Sequence, residues 1–117
     1  MIEVNEYVRT KNGVIDKVDA LYGMIENTVH LENQKWFDTK NIVKHSKQLI
    51  DLIEVGDIVR IRTGLYSSFM EFIDNEECLL ILKEQVKKFW TIEEILTKEQ
   101  MEANCYKVGG EDETSND

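Results

Sequence analysis

Residues 6–13, Glu-Tyr-Val-Arg-Thr-Lys-Asn-Gly, return fifty-one positions later as residues 57–64, Asp-Ile-Val-Arg-Ile-Arg-Thr-Gly. A second echo keeps the same order: residues 36–43, Trp-Phe-Asp-Thr-Lys-Asn-Ile-Val, are answered 53 positions on by residues 89–96, Phe-Trp-Thr-Ile-Glu-Glu-Ile-Leu. Two blocks in one order constrain the fold, because they predict one small unit written twice. The chain has 117 residues, and units of about 50 residues bury too little apolar surface to be comfortable alone. The halves, residues 1–54 and 55–108, are therefore expected to share a core. Residues 109–117, Gly-Gly-Glu-Asp-Glu-Thr-Ser-Asn-Asp, hold nothing hydrophobic and predict a disordered acidic tail.

With no proline in the chain, glycine and Asn/Asp clusters must mark the turns. Lys11-Asn12-Gly13 predicts a hairpin between Val4–Thr10 and Val14–Val18, since Asn-Gly supplies the positive φ angles of a tight turn. Met24–Leu31 and Lys35–Val43 read as further strands. Ser46 is a helix cap before the apolar stripe Leu49, Ile50, Leu52 and Ile53. The second unit is expected to repeat the plan. Ile58–Ile61 ends at Thr63-Gly64, Phe69–Ile73 and Cys78–Leu82 form a hairpin through Asp74-Asn75-Glu76-Glu77, and Val86–Trp90 is a strand. Thr97-Lys98-Glu99-Gln100 matches a capping box at a helix start, and Tyr106-Lys107-Val108 is a candidate closing strand. Many short strands punctuated by turns point to a mainly β fold with short helices (α+β), arranged as two SH3-like small barrels packed together. The alternative is an α+β sandwich in which residues 38–53 and 91–105 are longer helices.

Net charge is −9, and it is uneven: residues 1–54 carry 7 basic and 9 acidic groups, residues 55–117 carry 7 and 14. A general nucleic-acid binder needs a basic face, so direct nucleic-acid binding is disfavoured and a protein with a basic surface is the expected partner. No apolar run approaches the roughly 20 residues of a membrane span. The opening Met-Ile-Glu-Val-Asn-Glu lacks the pattern of a secretory signal, so a cytoplasmic location is expected. Cys78 and Cys105 have no metal-type spacing, and His30 and His45 stand apart from them. Phosphate loops, nucleophile elbows and metalloprotease motifs are absent from the sequence, so neither a cofactor nor catalysis is expected.

Three surface sets remain. The acidic residues Glu71, Asp74, Glu76, Glu77, Glu93 and Glu94 form either a solvated face or an array that mimics nucleic-acid phosphates toward a basic groove. Alternation turns one ring of each aromatic pair inward and one outward, so Trp36 and Trp90 are candidates for partner binding or for packing between the units. Arg9 with Lys11, and Arg60 with Arg62, stand at i, i+2 on the repeated strand. They are either phosphate contacts or cations that keep a strand edge soluble.

Residues 42–57, Ile-Val-Lys-His-Ser-Lys-Gln-Leu-Ile-Asp-Leu-Ile-Glu-Val-Gly-Asp, with Tyr-Val-Arg-Thr-Lys-Asn-Gly at 7–13, resemble a family of small uncharacterised proteins from phages and prophages of Firmicutes. The second unit is similar to it more loosely, through Lys98-Glu99-Gln100-Met101-Glu102 and Tyr106-Lys107-Val108. The resemblance implies a phage or mobile-element origin and an SH3-like barrel, and it brings no catalytic residues. Small acidic phage proteins of this kind are often inhibitors of host defence, including anti-CRISPR proteins. The expected function is thus a non-enzymatic interaction module that inhibits a host nucleic-acid-binding effector through its acidic surface. Residues 55–60, Val-Gly-Asp-Ile-Val-Arg, are also similar to KOW-type barrels, whose nucleic-acid or transcription-complex binding would use Arg9, Lys11, Arg60 and Arg62. A phage structural or assembly component is the third expectation.

Overall fold

A computed structural model describes residues 2–21, 28–33, 36–64, 67–106 and 108. These residues build a mainly β protein of two antiparallel sheets and two short α-helices. The first sheet contains β1 (Tyr7–Thr10), β2 (Ile15–Leu21), β3 (Thr28–Leu31), β4 (Trp36–Asp38) and β5 (Ile42–Ser46), in the order β4-β3-β2-β1-β5. A 3-10 helix, Thr39–Asn41, joins β4 to β5. Gly13 takes a φ of 87° in the hairpin between β1 and β2, as Asn-Gly predicts. Period-two alternation puts Val8, Val18, Val29 and Leu31 into a core with Phe37 and Ile42. Residues 24–27 of the expected strand Met24–Leu31 lie outside the described residues, as does the acidic tail.

The expected helix after Ser46 is a single 3-10 turn, Leu49–Leu52. Ser46 ends β5, and its hydroxyl accepts from the Gln48 amide at 3.0 Å. Then come β6 (Ile58–Arg62), β7 (Ser68–Phe72), α1 (Glu76–Lys88), β8 (Thr91–Leu96) and α2 (Lys98–Asn104), and the strands form a sheet in the order β7-β6-β8. The sequence places strands at Cys78–Leu82 and Val86–Trp90; the structure replaces both with α1. The cause is local. Asn75 caps the helix by accepting the Cys78 amide at 2.9 Å. Glu76 and Glu77 stand at its positive end, with Lys87 and Lys88 at its negative end. Leu79, Leu82 and Val86 fall on one face at helical spacing, which buries them where a strand would expose half. Residues 91–96 are a strand, and α2 carries the expected capping box at Thr97 and Gln100. Tyr106 and Val108 are exposed and belong to no strand.

The repeated segments are built alike beyond the sequence echo. Glu6 and Asp57 each close a turn, taking the amides of Glu3 and Glu54 on their carboxylates at 3.0 and 2.8 Å. The residues before them, Asn5 and Gly56, have φ of 75° and 102°. Their amides donate to Val18 and Ile73 carbonyls, each at 2.8 Å. The bulge opposite β5 lies between Arg9 and Thr10, and the bulge opposite β8 lies between Arg60 and Ile61. The two halves part after the second strand, where the first has β3 and β4 and the second has α1.

There are two apolar clusters, one confined to the first half and one shared by both halves. Ile50 and Ile53, from the 3-10 turn of the first half and the residue after it, pack with Val59, Ile61, Ile73, Leu79 and Leu82 of the second. A polar cluster joins the halves. Arg9 and Asp57 side chains are both 0% exposed. The Arg9 guanidinium donates to Asp57 at 2.6 and 3.0 Å, to the Leu52 carbonyl at 2.9 Å and to Glu99 at 2.6 Å. Asp57 also accepts the Lys98 amide at 2.9 Å, and Thr97 donates its hydroxyl to the Gly13 carbonyl at 2.8 Å.

Candidate functional site

The turn from β7 into α1 concentrates four of the six predicted acidic residues. Glu71 lies on β7, Asp74 follows it, and Glu76 and Glu77 form the first turn of α1. β7 pairs with β6 so that Glu71 faces Val59 and Phe69 faces Ile61, which points both side chains toward the helix. Between strand and helix lies a groove of about 330 Å³. Ile61, Ile81, Leu82 and Trp90 give it apolar walls, and Glu71 and Glu77 supply the charge. The Cys78 thiol donates to Glu71 at 3.5 Å and to the Phe72 carbonyl at 3.8 Å, holding the carboxylate at the groove. Phe69 packs edge-on against Trp90 with centroids 5.4 Å apart.

Trp90 also walls a second depression of about 460 Å³ with Leu49, Ile50, Val86 and Ile92. One ring thus stands between two apolar hollows along α1. The aromatic pairs divide as expected, with Phe37 and Trp90 turned toward the clusters and Trp36 and Phe89 outward at 49% and 75% exposure. Phe89 reaches that position as the C-cap of α1 rather than as a strand residue. Trp36 stacks edge-on against His30 at 5.1 Å in the first sheet, whereas Trp90, beside Phe69, also packs against the cluster that holds Ile50 and Ile53 of the first half. Trp36 is therefore not part of the groove.

Glu93 and Glu94 are not part of it either. They lie on β8, where they border a different pocket of about 260 Å³ shared with Tyr7 and Lys17 of the first sheet. Their charges are taken by cations, Glu94 by Arg60 at 2.8 Å and Glu93 by Arg62. The Glu94 contact raises the pKa of Arg60. Of the other basic residues, Lys11 is exposed and Arg9 is fully enclosed. Burial works against the charge of Arg9, but Asp57 and Glu99 outweigh it and hold its pKa above the usual arginine value. An Arg9 so placed presents no face to a phosphate.

Sequence reading missed Cys78, Ile81 and Leu82 as groove residues, because a strand at 78–82 would have scattered them. The overlooked signal was Asn75 followed by two glutamates, which announces a helix start as readily as a turn. The Arg9–Asp57 contact spans forty-eight residues and left no local signal. Among the described residues, no group of three or more His, Cys, Asp or Glu is placed to hold a metal ion, and no helix is long and apolar enough to cross a membrane. No family profile, curated protein or solved structure matches the chain.

Proposed function

We propose that the chain is a non-enzymatic interaction module that grips a basic, partly apolar segment of another protein in the groove between β7 and α1. One observation carries the reading: Glu71 and Glu77 line a groove whose walls are Ile61, Ile81, Leu82 and Trp90, and Asp74 and Glu76 lie in the same turn beside it. Interfaces bind through apolar anchors seated in such hollows, while surrounding charge selects the partner and speeds encounter. Nucleic acid fits less well, since Arg60 and Arg62 are engaged by glutamates and Arg9 is enclosed. The phage-type resemblance directs the search to host cytoplasmic proteins that handle nucleic acids, whose grooves are basic, and makes inhibition of a defence effector the working role.

Two structural proposals accompany it. The order β4-β3-β2-β1-β5, with a 3-10 turn before a fifth strand that returns to the first, supports an SH3-like barrel in the first half. The matched turns, amide bonds and bulges at the start of each half support descent from one duplicated unit, the second copy carrying a helix in place of a hairpin.

The functional reading is tested by affinity capture from a bacterial host extract with quantitative mass spectrometry. The bait is compared with a variant carrying Asp74→Asn, Glu76→Gln and Glu77→Gln, which removes charge while keeping size. The specific partner should fall at least about tenfold in recovery, and it should be basic and released by salt. Equal recovery by the variant refutes the groove as the binding site.

A further inference from the structure

The second sheet has two outer strands, and they are treated differently. β8 faces the first sheet, sharing a pocket with Tyr7, Ile15 and Lys17. Among the described residues nothing pairs with the far side of β7. Other sheet edges here carry the devices that discourage pairing: β4 has only three residues, and β5 bears Lys44 and lies against the Leu49–Leu52 turn. By contrast β7, Ser-Phe-Met-Glu-Phe, has no lysine and pairs with β6 without a bulge.

The register shows which backbone groups it offers. Ile73 donates its amide to the Asp57 carbonyl, and Ser67 accepts the Thr63 amide, so the odd-numbered residues bond to β6. In an antiparallel ladder the alternate residues face the other way. The amides and carbonyls of Ser68 and Met70 and the amide of Phe72 therefore point to the open edge, while the Phe72 carbonyl takes the Cys78 thiol. Side chains alternate too: Phe69 and Glu71 face α1, while Met70 and Phe72, 55% and 52% exposed, face away.

We propose that β7 receives an extended segment of the partner as an added strand, bonded to the backbone of Met70 and its even-numbered neighbours. Basic side chains of that strand lie on the helix side, toward Glu71 and Glu77. Apolar side chains lie on the other side, against Met70 and Phe72. Charge complementarity selects this occupant over a second copy of the chain, since each copy carries −9 and would bring the same acidic turn to the pairing. Strand addition of this kind takes affinity from main-chain bonds and specificity from alternate side chains. The inference rests on the groove reading above.

The probe is a blocked octapeptide of alternating lysine and valine, titrated against the whole protein. Its comparisons are a glutamate–valine octapeptide and a lysine–valine octapeptide N-methylated at alternate residues. Lysine–valine binding should protect the Met70 amide from hydrogen exchange, the N-methylated form should bind at least about tenfold more weakly, and the glutamate peptide should not bind. Met70→Pro removes an outward amide without breaking the β6 ladder, which an edge strand tolerates; it should weaken binding by a similar factor with its thermal unfolding retained. Binding that is lost in Glu77→Gln but indifferent to N-methylation and Met70→Pro overturns strand addition and keeps the groove. No lysine–valine binding at all overturns both. A dimer that Met70→Pro dissociates assigns the edge to self-pairing and overturns the partner strand.

Discussion

Replacing Arg9 by methionine should cost far more stability than any exposed ion pair in the protein. The guanidinium makes four hydrogen bonds, to Asp57 twice, to Leu52 and to Glu99, and it is shielded from water. Methionine fills much of the same space but leaves the Asp57 carboxylate buried with only the amides of Glu54 and Lys98. Removing one partner of a buried pair costs about 3–5 kcal/mol. Against a total stability of about 5–15 kcal/mol for a domain, that is roughly a fifth or more. The decisive measurement is a double-mutant cycle in urea with Arg9→Met, Asp57→Asn and both together. The paired variant holds no buried ion and keeps a carboxamide oxygen for one of the two amides, so the singles should not add, and a coupling of about 2–4 kcal/mol is expected. Unfolding followed by circular dichroism and by tryptophan emission should shift together, because Trp36 reports on one sheet and Trp90 on the other. A coupling below about 1 kcal/mol, the scale of surface pairs, would refute the enclosed hub.

Three further outcomes are expected. Gly13→Ala imposes a side chain at φ 87° and drives a Cβ to 2.8 Å from Glu99 Cβ, so it should destabilise by about 1–3 kcal/mol. Gly64→Ala, where a Cβ meets nothing within 4 Å, should change stability by less than about 0.5 kcal/mol in the same urea assay. Acid should weaken the fold through Glu54 and Glu6. Burial raises the pKa of each, but Lys98 and Lys44 outweigh it at Glu54, and the Glu3 amide and His45 at Glu6, so both lie below the usual 4.5. A depressed carboxylate contributes stability that is complete above its unfolded value and is lost as pH falls through its folded value. The urea midpoint should therefore decline below 4.5, less steeply in Glu54→Gln, and a midpoint that rises with acid would contradict the assignment.

Short-range chemistry was legible. Asn12-Gly13 gave its turn, Thr97 and Gln100 their capping box, and the alternation of valines the first sheet. The register of β1 and β6 followed the echo of their sequences. The run Cys78–Leu82 was not legible, since a few consecutive apolar residues fit a buried strand or a helix equally well. What decided it was the length of the segment after Asn75 and the cluster against which Leu79, Leu82 and Val86 pack. Four of the predicted acidic residues lie together at one turn because they are near in sequence, while Glu93 and Glu94 are drawn off by arginines on the strand beside them.

The sequence by itself determined where the chain turns, which segments begin its two halves and how their first strands alternate. Those properties depend on backbone preferences and on contacts a few residues apart. Only the tertiary structure decided that Arg9 is an enclosed link between the halves while Arg60, its counterpart in the echo, stays at the surface beside Glu94. The reason is position: β1 faces the turn that ends at Asp57 and the start of α2, which enclose Arg9 and supply carboxylates to offset desolvation, whereas the carboxylate that pairs with Arg60, Glu94, is itself exposed on β8.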